Sequence, residues 1–177
     1  SMLVEETPDG YKRILFMKNT AASDGIRQIQ EAYEIQSTIN GVVTYVGRTY
    51  VLIQIYGYPC IMKLQELEPF TVRDSKSYLG REVAVKVVRI NLSDSNGYDI
   101  EVSHKVVAED VLNSNNIEKF EDVKVNTIYK GIIKDYVEAL GVFVALGPID
   151  GLIHYRLLPE GFLESPCKIG DVVDVRV

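Results

Sequence analysis

The residue types that could do chemistry gather late in the chain: Phe143, His154, Tyr155 and Arg156, with Lys134 and Tyr136 a little upstream. A ring offers a face on which a nucleobase can stack, and a cation beside it can take a phosphate. Rings interleaved with cations therefore suit single-stranded nucleic acid. Covalent and metal chemistry find less to work with. The 2 histidines, His104 and His154, stand in different parts of the chain, and the 2 cysteines, Cys60 and Cys167, lack CxxC or Cys/His spacing. GxGxxG, GxxxxGK, HExxH and GxSxG are all missing. Asp94-Ser95-Asn96-Gly97 hints at a calcium loop, but Leu92 stands at its first ligand position, and a hairpin turn is the better account. The expectation is a protein that is not an enzyme and carries neither cofactor nor metal.

Rings and cations act only where a scaffold holds them. The 177 residues suffice for one large domain or two small ones, and a composition 46% hydrophobic and 25% charged permits a buried core. Acids outnumber bases 25 to 19, a net charge of -6, which argues against coating nucleic acid through bulk positive charge and leaves a local face as the route. No apolar run approaches the roughly 20 residues that span a bilayer, and no signal peptide is read ahead of the first unit. A reduced, soluble, cytoplasmic protein without a membrane partner is expected. Ser1 ahead of Met2 reads as a scar of tag cleavage.

The scaffold is written twice. Gly41-Val42-Val43 and Gly131-Ile132-Ile133 each open a β-branched run. Val51-Leu52-Ile53-Gln54-Ile55 pairs with Val142-Phe143-Val144-Ala145-Leu146, and Tyr78-Leu79-Gly80-Arg81-Glu82-Val83 with Lys168-Ile169-Gly170-Asp171-Val172-Val173. A period of about 90 residues is too long for a solenoid and fits two small domains in tandem. Period-two alternation predicts strands near 38–46, 50–56, 59–64, 82–91 and 98–103 in the first copy, with a helical turn at 75–79 and a hairpin at Asn96-Gly97. The fold class expected is all-β: two tandem five-stranded OB-type Greek-key barrels, the second lacking its own last strand, with an N-terminal helix. The expected boundaries are 1–36 for an N-terminal strand and helix, 37–105 for the first barrel, 106–123 for an acidic linker and 124–177 for the truncated second barrel.

Gly131-x-Ile133, Leu140-Gly141-Val142-Phe143-Val144, Gly151-Leu152-Ile153-His154 and Ile169-Gly170-Asp171-Val172-Val173 resemble the S1-type RNA-binding domain, found in ribosomal protein S1 and polynucleotide phosphorylase. The first copy resembles it more weakly, through Gly41-Val42-Val43, Tyr78-Leu79-Gly80 and Val102-Ser103-His104-Lys105. The resemblance implies single-stranded RNA as partner. It places Phe143 and His154 on the binding face and Leu140 where members commonly carry another aromatic. Arg156 shares the parity of His154 and could reach phosphate, and Lys134 and Tyr136 end the first strand. Each has a plainer reading: a strand phenylalanine is often core, a lone histidine is often structural, and a surface arginine or lysine is often only solvated.

The first copy departs from the pattern. Thr49, Leu52 and Lys63 align with Leu140, Phe143 and His154, and Asp99 stands where an arginine commonly precedes the last strand. Of these only Lys63 is a candidate RNA contact. Tyr45, Tyr50, Tyr56 and Tyr58 hint at a contact surface, against edge and turn tyrosines as the plainer reading. In ribosomal protein S1 the leading domains serve protein docking, so the resemblance implies contact with the small ribosomal subunit through the first barrel.

Three segments remain. Arg13-Ile14-Leu15-Phe16 resembles the last strand of the S1-type domain and is expected to add to a barrel edge, in cis or by strand exchange with a neighbouring chain. Residues 23–36 read as a helix capped by Ser23, with Ile26, Ile29 and Tyr33 packed on the first barrel. Residues 106–123, with five acids against Lys119 and an Asn113-Ser114-Asn115-Asn116 run, read as a solvated linker with at most one helical turn. The function expected is an RNA-binding protein resembling ribosomal protein S1, acting in translation mainly through its second barrel. A protein-interaction scaffold that lost RNA binding, or accessory domains of a larger RNA-processing enzyme, are the alternatives.

Overall fold

Alternation along the β-branched runs builds both sheets. In the computed structural model residues 3–6, 12–15, 20–92 and 100–177 are described, with side chains from Asp24 onward. They divide into unit 1 (Ser1–Leu64 with Asp74–Ser103) and unit 2 (Gln65–Arg73 with His104–Val177). The Asn96-Gly97 hairpin and Asp99 lie outside the described residues.

Unit 1 contains β1 (Leu3–Glu6), β2 (Lys12–Leu15), α1 (Thr20–Ile35), β3 (Ile39–Val46), β4 (Tyr50–Ile55), β5 (Tyr58–Lys63), β6 (Glu82–Ile90) and β7 (Ile100–Ser103). The last five strands close a barrel in the order β3-β4-β5-β7-β6, with β5 and β7 parallel and the other neighbours antiparallel. This arrangement is consistent with the OB architecture. Val43, Val51, Ile53, Ile55, Met62 and Val85 face inward and are buried, each contributing roughly 1.5–3 kcal/mol of apolar burial. Gly41 faces inward too. A Cβ there would run into the Cγ2 of Ile53 and lie 2.6 Å from the Cγ1 of Ile55, so β3 crosses β4 at a distance only glycine permits.

Two expectations about the N-terminal part are revised. β2 pairs with β1, Leu3 opposite Leu15 and Val4 opposite Ile14, in a sheet of its own instead of adding to a barrel edge. The physical reason is proximity in the chain: β1 lies only a few residues ahead of β2, so its backbone groups are the partner reached at the lowest loop-closure cost. The helix starts at Thr20, ahead of Ser23, and buries Gly25, Ile29 and Ala32, while Tyr33 is exposed. The i, i+4, i+7 stripe is thus rotated from the one expected, and it packs on β5 and β6.

Unit 2 contains α2 (Lys105–Asn113), β8 (Ile128–Val137), β9 (Gly141–Ala145), β10 (Asp150–His154) and β11 (Val172–Arg176). Its four strands form one sheet in the order β10-β9-β8-β11. An apolar cleft of about 510 Å³ opens on the sheet, lined among others by Ile133, Val142, Ile153, Phe162, Val173 and Val175. The stretch expected to be solvated linker is folded: α2 buries Ala108 and Leu112 against Ile132, Ala145 and Phe70. Asn115 donates to the carbonyls of Lys130 and Leu146 at 2.7 and 2.9 Å and accepts from the Lys130 N–H at 2.9 Å, and Ile117 enters the core. Asparagine-rich sequence reads as solvent-exposed, but here its amide serves the strand backbone.

Local geometry recurs between the units. Val43 N–H donates to Arg81 O at 2.9 Å and Gly80 N–H to Val43 O at 2.8 Å; Ile133 N–H donates to Asp171 O at 2.9 Å and Gly170 N–H to Ile133 O at 2.8 Å. Gly80 and Gly170 both take positive φ, 82° and 91°. A register shift falls between Val43 and Tyr45 in β3 and between Ile133 and Asp135 in β8. Gly131 packs on Val144 as Gly41 packs on Ile53.

Candidate nucleic-acid interface

Cross-strand register defines the outward face of unit 2. Asp135, Phe143 and Leu152 form one row across β8, β9 and β10, and His154 stands opposite Gly141. Along β10, Asp150, Leu152 and His154 are exposed while Gly151 and Ile153 turn inward. Phe143 and His154 are diagonal neighbours on this face, about 7–8 Å apart at the backbone by sheet geometry. Leu140 lies in the β8–β9 turn and is 38% exposed. Phe143 is half-buried, its ring flanked by Asp135 and Leu152.

The cations of the face are held by acids. Lys134 Nζ lies 2.7 Å from Asp150 Oδ2 and 5.9 Å from the centre of the Phe70 ring. Arg73 Nη1 lies 2.7 Å from Asp135 Oδ2. Arg156 is exposed and ion-pairs with nothing among the described residues, but β10 ends at His154 and a 3-10 turn spans Tyr155–Leu157, so the strand parity expected to align Arg156 with His154 does not extend to it.

Tyr136 belongs to the core side. Its hydroxyl donates to the Cys167 carbonyl, its ring centre is 6.4 Å from that of Phe162, and burial pushes its phenol up to about 12, with Cys167, Asp171 and Tyr155 adding negative potential. Tyr155 packs on the same cluster. The structure therefore puts Phe143, His154 and Leu140 at one end of the β9–β10 ladder, holds Lys134 on Asp150 at the other end, and turns Tyr136 away. Sequence reasoning passed over Leu152, whose parity with His154 was a usable signal, and Phe70 and Arg73, for which the sequence carries none, since they come from a segment distant in the chain.

Lys63 lies on the barrel of unit 1. Register places Tyr45, Leu52, Ile61, Glu101 and Arg89 in one row across β3, β4, β5, β7 and β6, with Lys63 opposite Tyr50 one step along. Lys63 Nζ is 3.6 Å from Glu101 Oε1, and Arg89 Nε is 3.3 Å from Glu101 Oε2, so one carboxylate serves two cations. Among the described residues no group of three or more His, Cys, Asp or Glu is placed to hold a metal ion, and no helix is long and apolar enough to cross a membrane.

No family model matches the chain. The chain is 26% identical over 179 residues to small ribosomal subunit protein bS1 of Mycolicibacterium smegmatis, a match covering 99% of this chain and 36% of that protein. It is 27% identical over 172 residues to 4-hydroxy-3-methylbut-2-enyl diphosphate reductase of Clostridium acetobutylicum, covering 93% of this chain and 26% of that protein. The chain thus spans about a quarter to a third of the length of the curated relatives it matches. Among solved structures it is similar to a chain of the a/eIF2alpha–aDim2p–rRNA complex from Pyrococcus horikoshii OT3, at 20% identity and a TM-score of 0.34, covering 48% of this chain and 64% of that one.

Proposed function

We propose that the chain is a tandem of S1-like modules that binds single-stranded RNA, mainly through unit 2, in translation. The observation that carries the reading is the diagonal pair of half-buried Phe143 and exposed His154 beside Leu152 on β9 and β10, in a chain similar to bS1 over nearly its whole length. A ring and an imidazole on one sheet face let successive bases stack without sequence readout. The tandem is supported by the recurring geometry: Gly41 and Gly131 packed against the second strand, Gly80 and Gly170 closing the same bond pattern, and the bulge at the same place. A second reading, accessory modules of a larger enzyme, is favoured by the similarity to the reductase; the full-length gene separates the two.

The test is a fluorescence-anisotropy titration of labelled oligouridylate with the whole chain. Phe143→Ala and His154→Ala should each weaken binding by about 1–3 kcal/mol, the range for a lost stacking platform, and the double variant should bind no longer. Circular dichroism checks that each variant is folded, and Phe143→Tyr should retain affinity. Undiminished binding by a folded double variant refutes the site.

A further inference from the structure

The outward row of unit 1 carries its ring on a different strand from the row of unit 2. In unit 2 the first three positions are Asp135, Phe143 and Leu152; in unit 1 the same strands present Tyr45, Leu52 and Ile61. The aromatic has moved from the second strand to the first. One step along, Tyr50 stands opposite Lys63 where Gly141 stands opposite His154. Tyr45 and Tyr50 are centred 5.8 Å apart and tilted by 41°, a supporting contact that still leaves Tyr45 47% exposed.

The turn between them is shaped for this pair. Gly47 N–H donates to Tyr50 O at 2.9 Å, and a Cβ on Gly47 would lie 2.9 Å from Tyr45 Cε1 and 3.1 Å from Tyr50 O. Glycine at this position leaves the room in which the Tyr45 ring lies across the turn. Arg48 is exposed at the tip, and Lys63 and Arg89 share the single carboxylate of Glu101, leaving that cluster with one net positive charge. Two ordered rings, apolar Leu52 and Ile61 beside them and cations at the margin form a surface for stacked bases with phosphates at its edge.

We propose that Tyr45 and Tyr50 form a second stacking site for single-stranded RNA on unit 1, with Lys63 and Arg48 taking the flanking phosphates. The inference rests on the reading that the chain binds single-stranded RNA, and it assigns a separate site within it. The test uses the whole chain and decauridylate carrying 5-iodouridine, irradiated and mapped by mass spectrometry, alongside anisotropy titrations of variants. Adducts should appear on Tyr45 or Tyr50 as well as in unit 2. Tyr45→Ala should weaken binding by roughly fivefold or more, and Tyr45→Phe should keep it, since the ring and not the hydroxyl carries the stacking. Adducts confined to unit 2 overturn the proposal and leave the unit 2 site standing, and they do so even if an alanine variant fails to fold. Undiminished affinity of a folded Tyr45→Ala/Tyr50→Ala variant also overturns it, and so does the finding that these substitutions abolish only a protein contact. No RNA binding by the unaltered chain overturns both readings.

Discussion

The pairing of cations with acids sets how RNA affinity should respond to salt. Lys134 and Arg73 each lie 2.7 Å from a carboxylate, and Lys63 and Arg89 share Glu101. Arg156, Arg48 and one net charge on the Lys63–Glu101–Arg89 cluster are what remains for phosphate. With about three phosphates neutralised, log K should fall with log salt at a slope near -2.1, about eighteenfold between 50 and 200 mM. Asp150→Asn releases Lys134. The slope should steepen to about -2.8, or about fiftyfold over the same range, while affinity at low salt rises. Fold stability should change by under about 1 kcal/mol, because the lost pair is partly solvated. The assay is anisotropy with labelled oligouridylate at four salt concentrations, with thermal melts as control. A slope unchanged by Asp150→Asn would show that RNA does not pass Lys134. A parent slope steeper than about -3 would show that the ion pairs open on binding, and the charge accounting would then be wrong.

The other predictions concern packing and the buried thiol. Gly41→Ala and Gly131→Ala should each cost about 1–3 kcal/mol through overpacking against branched side chains, and denaturant midpoints measure it. Gly57→Ala meets nothing within 4 Å and pays only for its φ of 84°, about 1–2 kcal/mol. Cys60 is fully buried and its thiol is pushed up from 9.0 to about 12 by desolvation. The folded state thus keeps a proton that the unfolded chain releases near pH 9. The stability this gives is whole below pH 9 and is lost as pH rises toward 12. Denaturant midpoints across that window should fall, and less so in Cys60→Ala. Iodoacetamide at pH 8 should label Cys167, which is partly exposed, well before Cys60.

The strands of unit 1 were legible because alternation, turn glycines and β-branched runs agree. β3 to β6 fall within a residue or two of the expected bounds. Facing was harder. Strict alternation from buried Val43 would send Tyr45 inward, but the register shift between them inserts an extra residue and turns the ring to solvent. The stretch after residue 105 misled for a different reason. Its acids and asparagines speak of solvent, yet Ala108, Leu112 and Ile117 are buried, and three apolar contacts outweigh a charged outer face. Pairings such as Arg73 with Asp135, 62 residues apart, follow from tertiary approach and leave no local trace in the sequence.

The strand order of unit 2 also sets a hierarchy of amide protection. β8 and β9 are flanked on both sides, whereas β10 and β11 each have one strand neighbour among the described residues. Deuterium should therefore enter alternate amides of β10 and β11 by small local fluctuations, and those of β8 and β9 only through larger openings. Phe143, on the slow-exchanging β9, is then displayed by the stiffest part of the sheet, while His154 rides on a strand free to breathe and to adjust to whatever lies on it.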